Sequence, residues 1–432
     1  MTQLQNPHRR EADTRGFLFS PASRYPTPAA YVVDDAGAVL HTWSHTAHQP
    51  RPEDVPPNNL RGWNHVAVDT DGCLFAVVPL RALLKLTPGS ELEWSCDIAA
   101  HHDLAVYDFG AVLVLTEAPR LVAVGGKPHV ILDNLVTLLN PDGAVKTEVS
   151  LYDVLRTDPD LRRLIDGSAR RRGEEFRRRG WPAPEDDLQP EVVRETRAIL
   201  RTSSYDGELR QALRRLRALP GSPCDILHTN TLKLLDAHPA GLWERGDVML
   251  CMRELNTVAV VDLACAAVRW WWGAEELSGP HQPSMLPDGR VLVFDNGVNV
   301  RRTRLLAVDP GMRKVVWSWS ADPPESFFCP LAGGCELLTN GNVLVTNSTA
   351  GAAFELAMDG RVVWQLDLPV GVYGANRGRV SIYRMSAVEP DIAARLQQHR
   401  ALQNPAALLQ ATDHSPIAAA ETHHNAGRAC ES

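Results

Sequence analysis

Short runs of β-branched and aliphatic residues alternate along most of the chain with turns built on Asp-Gly, Asn-Gly and Pro-Asp-Gly, which is the pattern of strands joined by tight turns. The pattern is also a repeat. DGRVLVFDNG from Asp288 and LLAVDPGMRKVVWSWS from Leu305 are followed by NGNVLVTNST from Asn340 and FELAMDGRVVWQLDLP from Phe354. Each unit holds a turn, a β-branched strand, a second strand, another turn, and a strand carrying Trp. Trp272, Trp319 and Trp364 recur at the interval of roughly 40 to 50 residues that a four-stranded propeller blade occupies. Weaker copies precede them: Trp43 in AGAVLHTWS, Trp94 in GSELEWSCD, and NPDGAVKTEVSL from Asn140, which keeps the turn and strand but lacks the Trp. The repeat predicts an all-β fold, a six-bladed β-propeller over residues 31–387.

One segment interrupts the strands. Residues 151–219 are charged and helix-favouring (LRRLIDGSARRRGEEF, PEVVRETRAIL, GELRQALRRLRAL), which predicts a helical insertion between blades. Long insertions on one rim of a repeat fold often cover its ligand face. Residues 1–30 read as an N-terminal extension. Residues 388–432, rich in Ala, Gln and His, read as a disordered or loosely helical tail, and the His423-His424 pair within it as an incidental feature.

Composition narrows the function classes. The 432 residues are 44% hydrophobic and 22% charged, typical of a globular chain, and no apolar run reaches the roughly 20 residues of a membrane helix. The first residues, MTQLQNPHRREADTRG, lack the apolar core of a signal peptide, so the expected location is cytoplasmic and no membrane partner is expected. A formal net charge of −8 speaks against nucleic acid as a partner, since that binding depends on neutralising phosphates with Lys and Arg. The eight cysteines form no CxxC pair and read for the most part as free, buried thiols. A basic run, RRRGEEFRRR from Arg170 to Arg179, has the chemistry to grip an anion, although its interleaved acids favour a solvated helix face.

Histidines keep register with the repeat. His281 stands eight residues before the turn glycine Gly289, His102 eight before Gly110, and His228 eight before Asp236; His65 stands seven before Gly72, and Gly333 takes the position before Gly341. The first strand of every propeller blade runs beside the central axis, so these positions converge despite their separation in sequence. A single such histidine is more often a satisfied core residue than a catalyst. Three in register, with Arg253 near in sequence, favour a functional cluster. Neutral imidazoles arranged this way suit a transition metal; alternatively one acts as nucleophile while the others carry protons, with Arg253 as a fixed cation for an oxyanion. The arginine favours the second chemistry, because it repels a divalent metal and binds a sulfate or phosphate group bidentately.

The motifs HHDL at His101, DILHTN at Asp225, LCMRELN at Leu250, HQPSMLPDGRVLVFDNG at His281, TRLLAVDP at Thr303, ELLTNGNVLVTNS at Glu336 and FELAMDGRVVWQ at Phe354, in this order, resemble the bacterial arylsulfotransferases that need no nucleotide sulfate donor. The resemblance runs from about Trp63 to Arg384. It implies a six-bladed propeller without a cofactor or resident metal, and a ping-pong transfer of sulfuryl from an aryl sulfate donor to a phenolic acceptor through an enzyme histidine. On the matching positions His281 is the implied nucleophile. His228 and His102 assist proton transfer, Arg253 stabilises the transferring group, and Asn230 and His101 are further substrate-binding residues. Three positions depart from the pattern: many relatives have Gln where this chain has Pro280, Ser where it has Cys251, and Ser-Arg where it has Thr303-Arg304.

Other chemistries lack their motifs. The chain has no GxxxxGK[ST] or post-strand GxGxxG phosphate cradle, no GxSxG elbow and no HExxH helix. The run Trp270-Trp271-Trp272 offers an aromatic platform, but its place in the repeat favours blade packing. A metal-dependent enzyme using His102, His228 and His281, and a non-catalytic binding propeller, stay open as alternatives. Nothing in the sequence fixes the oligomeric state.

Overall fold

The structure is a computed structural model that describes residues 16–21, 28–48, 62–178, 216–217, 219, 222–368, 370–373, 376–379 and 381–403. Its strands form six four-stranded antiparallel sheets and one two-stranded ribbon. In chain order, Gly16–Pro21, Ala29–Val33 and Val39–Ser44 (β1–β3) belong to the first sheet. Val66–Val68, Leu74–Val78, Ala82–Leu86 and Leu92–Cys96 (β4–β7) make the second. Ala100–Val106, Val112–Val124, Lys127–Leu139 and Val145–Ser150 (β8–β11) make the third. The fourth is Thr229–Leu234, Val248–Met252, Thr257–Asp262 and Ala267–Trp272 (β12–β15). His281–Met285, Val291–Asp295, Arg304–Asp309 and Lys314–Ser320 (β16–β19) form the fifth. Gly334–Leu337, Val343–Asn347, Ala352–Leu356 and Val362–Asp367 (β20–β23) form the sixth. The ribbon is Val370–Tyr373 with Asn376–Arg379 (β24, β25), and Ile382–Val388 (β26) returns to pair with β1 as the first strand of the first sheet.

The first strands touch in the cyclic order β4, β8, β12, β16, β20, β26, and contact between β1 and β4 closes the ring. This is the six-bladed β-propeller that the repeat predicts. Middle strands are covered on both faces by neighbouring blades, so β5 (LFAVV), β13 (VMLCM) and β17 (VLVFD) are buried throughout and read as unbroken apolar runs. Outer strands keep one face in water and are mostly exposed or half-buried, as in β7 and β19.

An aromatic ring of the outer strand links five of the six blades to the next. Trp94 Nε1 donates to the Pro141 carbonyl at 3.0 Å, Trp270 to Pro310 at 3.0 Å, Trp319 to Gly360 at 3.2 Å and Trp364 to Asp35 at 2.7 Å. Each acceptor lies in the turn between the third and fourth strands of the following blade. From the first blade, His41 Nε2 takes the same place 3.0 Å from the Pro88 carbonyl. Trp272 occupies the strand position matching Trp319, opposite Val258 as Trp319 is opposite Leu305, yet Trp270 makes the link. Trp270 and Trp272 are both buried on the blade face, while Trp271, on the other face by strand alternation, lies under the Arg313 guanidinium at 5.0 Å. Blade packing thus accounts for the Trp run. Among the described residues the third blade, whose outer strand has no Trp, sends no such ring to the fourth, and this is the junction that carries the helices.

Those helices are Leu151–Leu155 (α1) and Pro159–Arg178 (α2). Leu161, Ile165 and Ala169 recur at helical spacing and are buried against Leu113, Val122 and Leu232, while Arg162, Arg163, Arg170 and Arg171 face solvent. The rest of the expected insertion, apart from residues 216, 217 and 219, lies outside the described residues. The N-terminal boundary differs from the sequence reading, while β26 ends at Val388, one residue from the expected end of the propeller. The segment read as an extension contributes β1, whose partner β26 is too remote in sequence for local pattern to reveal. The segment read as a loose tail begins with a helix, Pro390–Gln403 (α3), that buries Ala393 and Leu396 against Leu40, Trp43 and Leu86. Residues 404–432, with His423 and His424, lie outside the described residues.

Gly143, in the turn beneath Trp94, tests the blade link. A Cβ there would sit 2.7 Å from the Trp94 ring, whereas at Gly126, with a similar positive φ (+78° against +83°), it meets nothing within 4 Å. Both Gly→Ala changes should cost about 1–2 kcal/mol for the left-handed backbone, and Gly143→Ala about 1–3 kcal/mol more for overpacking, measured by urea unfolding.

Candidate functional site

The channel end of three inner strands is irregular in the same way. Pairing slips between Ala100 and Leu104, between Thr229 and Thr231, and between His281 and Ser284. Within the first and third slips, and one residue before the second, a residue adopts a left-handed backbone: His102 (φ 55°), Gln282 (φ 43°) and His228 (φ 49°) respectively. Bulges re-aim side chains, and a non-glycine residue held at positive φ costs roughly 1–3 kcal/mol that the surroundings must offset, a combination that clusters at functional sites. In the sixth blade the matching residue is Gly333 (φ 78°), which adopts the conformation freely. In the fifth blade, therefore, the residue conformationally equivalent to His102 and His228 is Gln282, and His281 precedes it by one.

His281 is buried, and its Nδ1 lies 2.7 Å from Asn296 Oδ1 and 3.1 Å from the Gly279 carbonyl. The orientation of Asn296 is fixed, because its Nδ2 donates to the carbonyls of Cys329 at 2.7 Å and Ala332 at 2.9 Å, leaving Oδ1 as acceptor. Nδ1 thus faces two acceptors and carries the ring proton, so Nε2 bears the lone pair. Burial, helped by the nearby charges of Arg253 and His228 and only partly opposed by Asn296 and Gly279, lowers the His281 pKa from 6.5 to about 3. The imidazole is neutral at ordinary pH.

The peptide in front of His281 is clamped. The Pro280 carbonyl accepts from Asn230 Nδ2 at 2.9 Å and from the Cys251 thiol at 3.2 Å. Two of the three departures from the family pattern therefore meet in one hydrogen bond: Pro280 has lost a donor, and Cys251 supplies one to its carbonyl. Asn230 spends its amide nitrogen here and accepts from Thr231 Oγ1 at 3.0 Å; it positions the peptide in front of His281. Thr303, at the third departure, donates to the Asn296 carbonyl at 3.1 Å and so supports the His281 partner.

His228 forms a dyad with Asp225, Nδ1 to Oδ2 at 2.5 Å. Burial raises the carboxyl pKa of Asp225, but His228, Arg217 and Arg172 outweigh it and hold the group well below the usual carboxylate range. The His102 and His228 rings pack edge to face, centroids 4.8 Å apart. Burial first, then His228 and His101, keep His102 neutral far below its ordinary pKa. His101 is buried behind His102, the two Nδ1 atoms 2.7 Å apart, and its pKa is lowered by burial to about 4; it supports His102. Arg253 follows β13, its backbone N–H donating to the His228 carbonyl at 3.2 Å, and its Nε lies 3.8 Å from where a Cβ on Gly279 would be. Its guanidinium pairs with Glu254.

His65 belongs to a different layer. Its Nε2 is 3.2 Å from Asp103 Oδ1, and the same carboxylate accepts from Arg384 at 3.1 Å and from the backbone of Leu104 and Leu232. Tyr383 lies between the layers, its ring 5.8 Å from His102 and 6.5 Å from His65. This saturated carboxylate holds four blades' inner strands together beneath the histidine set. Among the described residues no group of three or more His, Cys, Asp or Glu is placed to hold a metal ion, so the arrangement gives the metal reading no support.

Four residues of the site escaped sequence reasoning: Asn296, Asp225, Gln282 and Arg217. Asp225 had a signal, an acid three residues before a histidine in DILH. Asn296 in FDNG reads as turn chemistry.

Acid sensitivity follows from these rings. His65 and His281 are held at about 3 and His101 at about 4, each chiefly by burial, while in the unfolded chain they titrate near 6.5. Below that value the unfolded state binds protons that the native state refuses, so stability falls as pH drops from 6.5 toward 4. The urea midpoint should be flat from pH 8 to 7 and decline steadily from pH 6.5 to 5.

The family described as arylsulfotransferase (ASST) matches residues 86–368, more than half of the chain and all of the catalytic candidates. No curated protein matches it with significance. Similar solved structures include a protein of unknown function from Bacteroides caccae (10% identity, 87% of this chain and 99% of that one, TM-score 0.45). Others are the periplasmic gluconolactonase PpgL of Pseudomonas aeruginosa (13%, 87% and 99%, 0.41) and virginiamycin B lyase from Staphylococcus aureus (7%, 84% and 87%, 0.39). At these scores the structural likenesses carry no functional weight. With a match over most of its blades, the chain belongs to the arylsulfotransferase family.

Proposed function

We propose that this chain moves a sulfuryl group from an aryl sulfate ester to a phenolic acceptor in two half-reactions, through a sulfohistidine on Nε2 of His281. The observation that carries the reading is the pair of acceptors on Nδ1, which leaves Nε2 as a neutral nucleophile already aligned. In the first half-reaction the Nε2–S bond forms as the ester S–O bond breaks, and His228 delivers a proton to the leaving phenolate oxygen. Asp225 holds His228 in the orientation this requires. Arg253 and His102 offer donors to the sulfuryl oxygens, whose charge spreads in a loose transition state that needs positioning more than covalent machinery. In the second half-reaction the acceptor phenol gives its proton to His228, its oxygen attacks sulfur, and the N–S bond breaks to restore His281. The strained backbone at His102 and His228 supports this reading, since it fixes both rings before substrate arrives.

Incubation with para-nitrophenyl sulfate and no acceptor should release about one equivalent of phenol and leave a sulfuryl adduct on the His281 peptide by mass spectrometry. His281→Ala should abolish both, and Asp225→Asn should lower turnover about 100- to 10,000-fold, the range of general acid–base catalysis. Adduct on another residue, or neither phenol nor adduct across a panel of aryl sulfates, refutes the proposal.

A further inference from the structure

Two arginines of the helical insertion reach the charged groups of the site. Arg172, on α2, binds one carboxylate oxygen of Glu254 while Arg253 binds the other. Its Nη1 also donates to the Ser222 carbonyl at 2.9 Å, at the start of the loop that leads to Asp225 and His228. Arg217 grips the buried Glu117, Nε to Oε1 at 2.7 Å, and its Nη1 lies 3.5 Å from Asp225 Oδ2. Neither arginine belongs to the blade repeat.

The charges explain why both are there. Glu254 beside Arg253 would cancel the cation that an anionic sulfate ester must meet, and would itself repel the ester. Arg172 neutralises Glu254, so the trio keeps a net positive charge next to the loop that holds His281. On the other side, Glu117 and Asp225 are both buried carboxylates, and burying two like charges together forces one to take up a proton. Arg217 compensates them and so, behind His228, keeps Asp225 ionised to hold that ring. We infer that Arg172 and Arg217 are positioning residues of the catalytic centre, acting through Glu254–Arg253 and Asp225–His228, and that the insertion is a working part of the site. This rests on the roles given above to Arg253 and His228.

The test uses the full chain with para-nitrophenyl sulfate as donor and phenol as acceptor, with near-UV circular dichroism to establish that each variant is folded. Arg172→Met should raise the donor KM about tenfold while kcat stays within about threefold. Adding Glu254→Gln should return KM to within about threefold of wild type, because removing the carboxylate removes the need for its counter-charge. Arg217→Met leaves Glu117 and Asp225 without the cation between them and should lower kcat about tenfold or more with little change in donor KM. Adding Glu117→Gln removes the competing carboxylate, so this double variant should fold and return kcat to within about threefold of wild type. Wild-type kinetics in folded Arg172→Met, failure of Glu254→Gln to restore KM, wild-type kcat in folded Arg217→Met, or a roughly tenfold lower kcat in the Arg217/Glu117 double variant overturns the inference. A wild-type chain that neither turns over nor labels His281 overturns the sulfuryl-transfer reading itself, a result that these variants do not produce.

Discussion

Every blade of this molecule hides its apolar faces against its two neighbours, so the ring must close. If the sixth sheet did not meet the first, two whole faces of valine, leucine and phenylalanine would be open to water, at roughly 25 cal/mol for each Å² exposed. Closure depends on β26 pairing with β1, Gly16 against Val388 through Phe19 against Met385. The same requirement fixes the axis. Once six sheets share it, their first strands are brought together, and residues far apart in sequence become neighbours in one channel.

That geometry explains how a site can rest on uncharged rings. His65, His101, His102 and His281 are buried deeply enough that none carries a proton at neutral pH, and the ions around them are matched in pairs. Asp103 is satisfied by Arg384, His65 and two backbone amides; Asp225 by His228 with Arg217 behind it. A low-dielectric channel makes each unmatched charge expensive, which is why partners are drawn from the repeat, from the loops, and from outside the repeat altogether.

What could be read from the chain follows from the range of the interactions. Turn glycines, outer-strand tryptophans and the histidines before each turn depend on contacts within one blade or a regular spacing between blades, so they leave a period in the sequence. The inner-channel placement of His102, His228 and His281 was legible for that reason. Contacts made once leave no period. β1 looks like an extension because its partner lies at the other end of the fold, and α3 looks like a loose tail because its apolar residues answer to Leu40 and Trp43. Asn296 hides in a segment that reads as a turn. Arg172 sits in a basic run that resembles a solvated helix face, and Arg170, Arg171 and Arg178 of that run do face water. Trp272 fits the interval to Trp319 while Trp270 makes the bond, because Trp94, Trp270 and Trp364 share one register position beside the outer-strand bulge and Trp319 bonds from two residues further on. His281 fits the eight-residue interval for a related reason, although the backbone places Gln282 at the equivalent conformation.

The closing strand also sets an order of events. Tyr383 and Arg384, which tie the floor of the channel to His102 and Asp103, lie on β26, and β26 leaves the ribosome after every strand of the other five blades. A nascent chain can stack blades two to six as they emerge, yet it has no finished channel until β26 arrives to complete the first. The buried imidazoles of His102 and His281 are thus enclosed only on a chain whose fold is already complete, and a partly synthesised copy holds both without the burial that keeps them neutral.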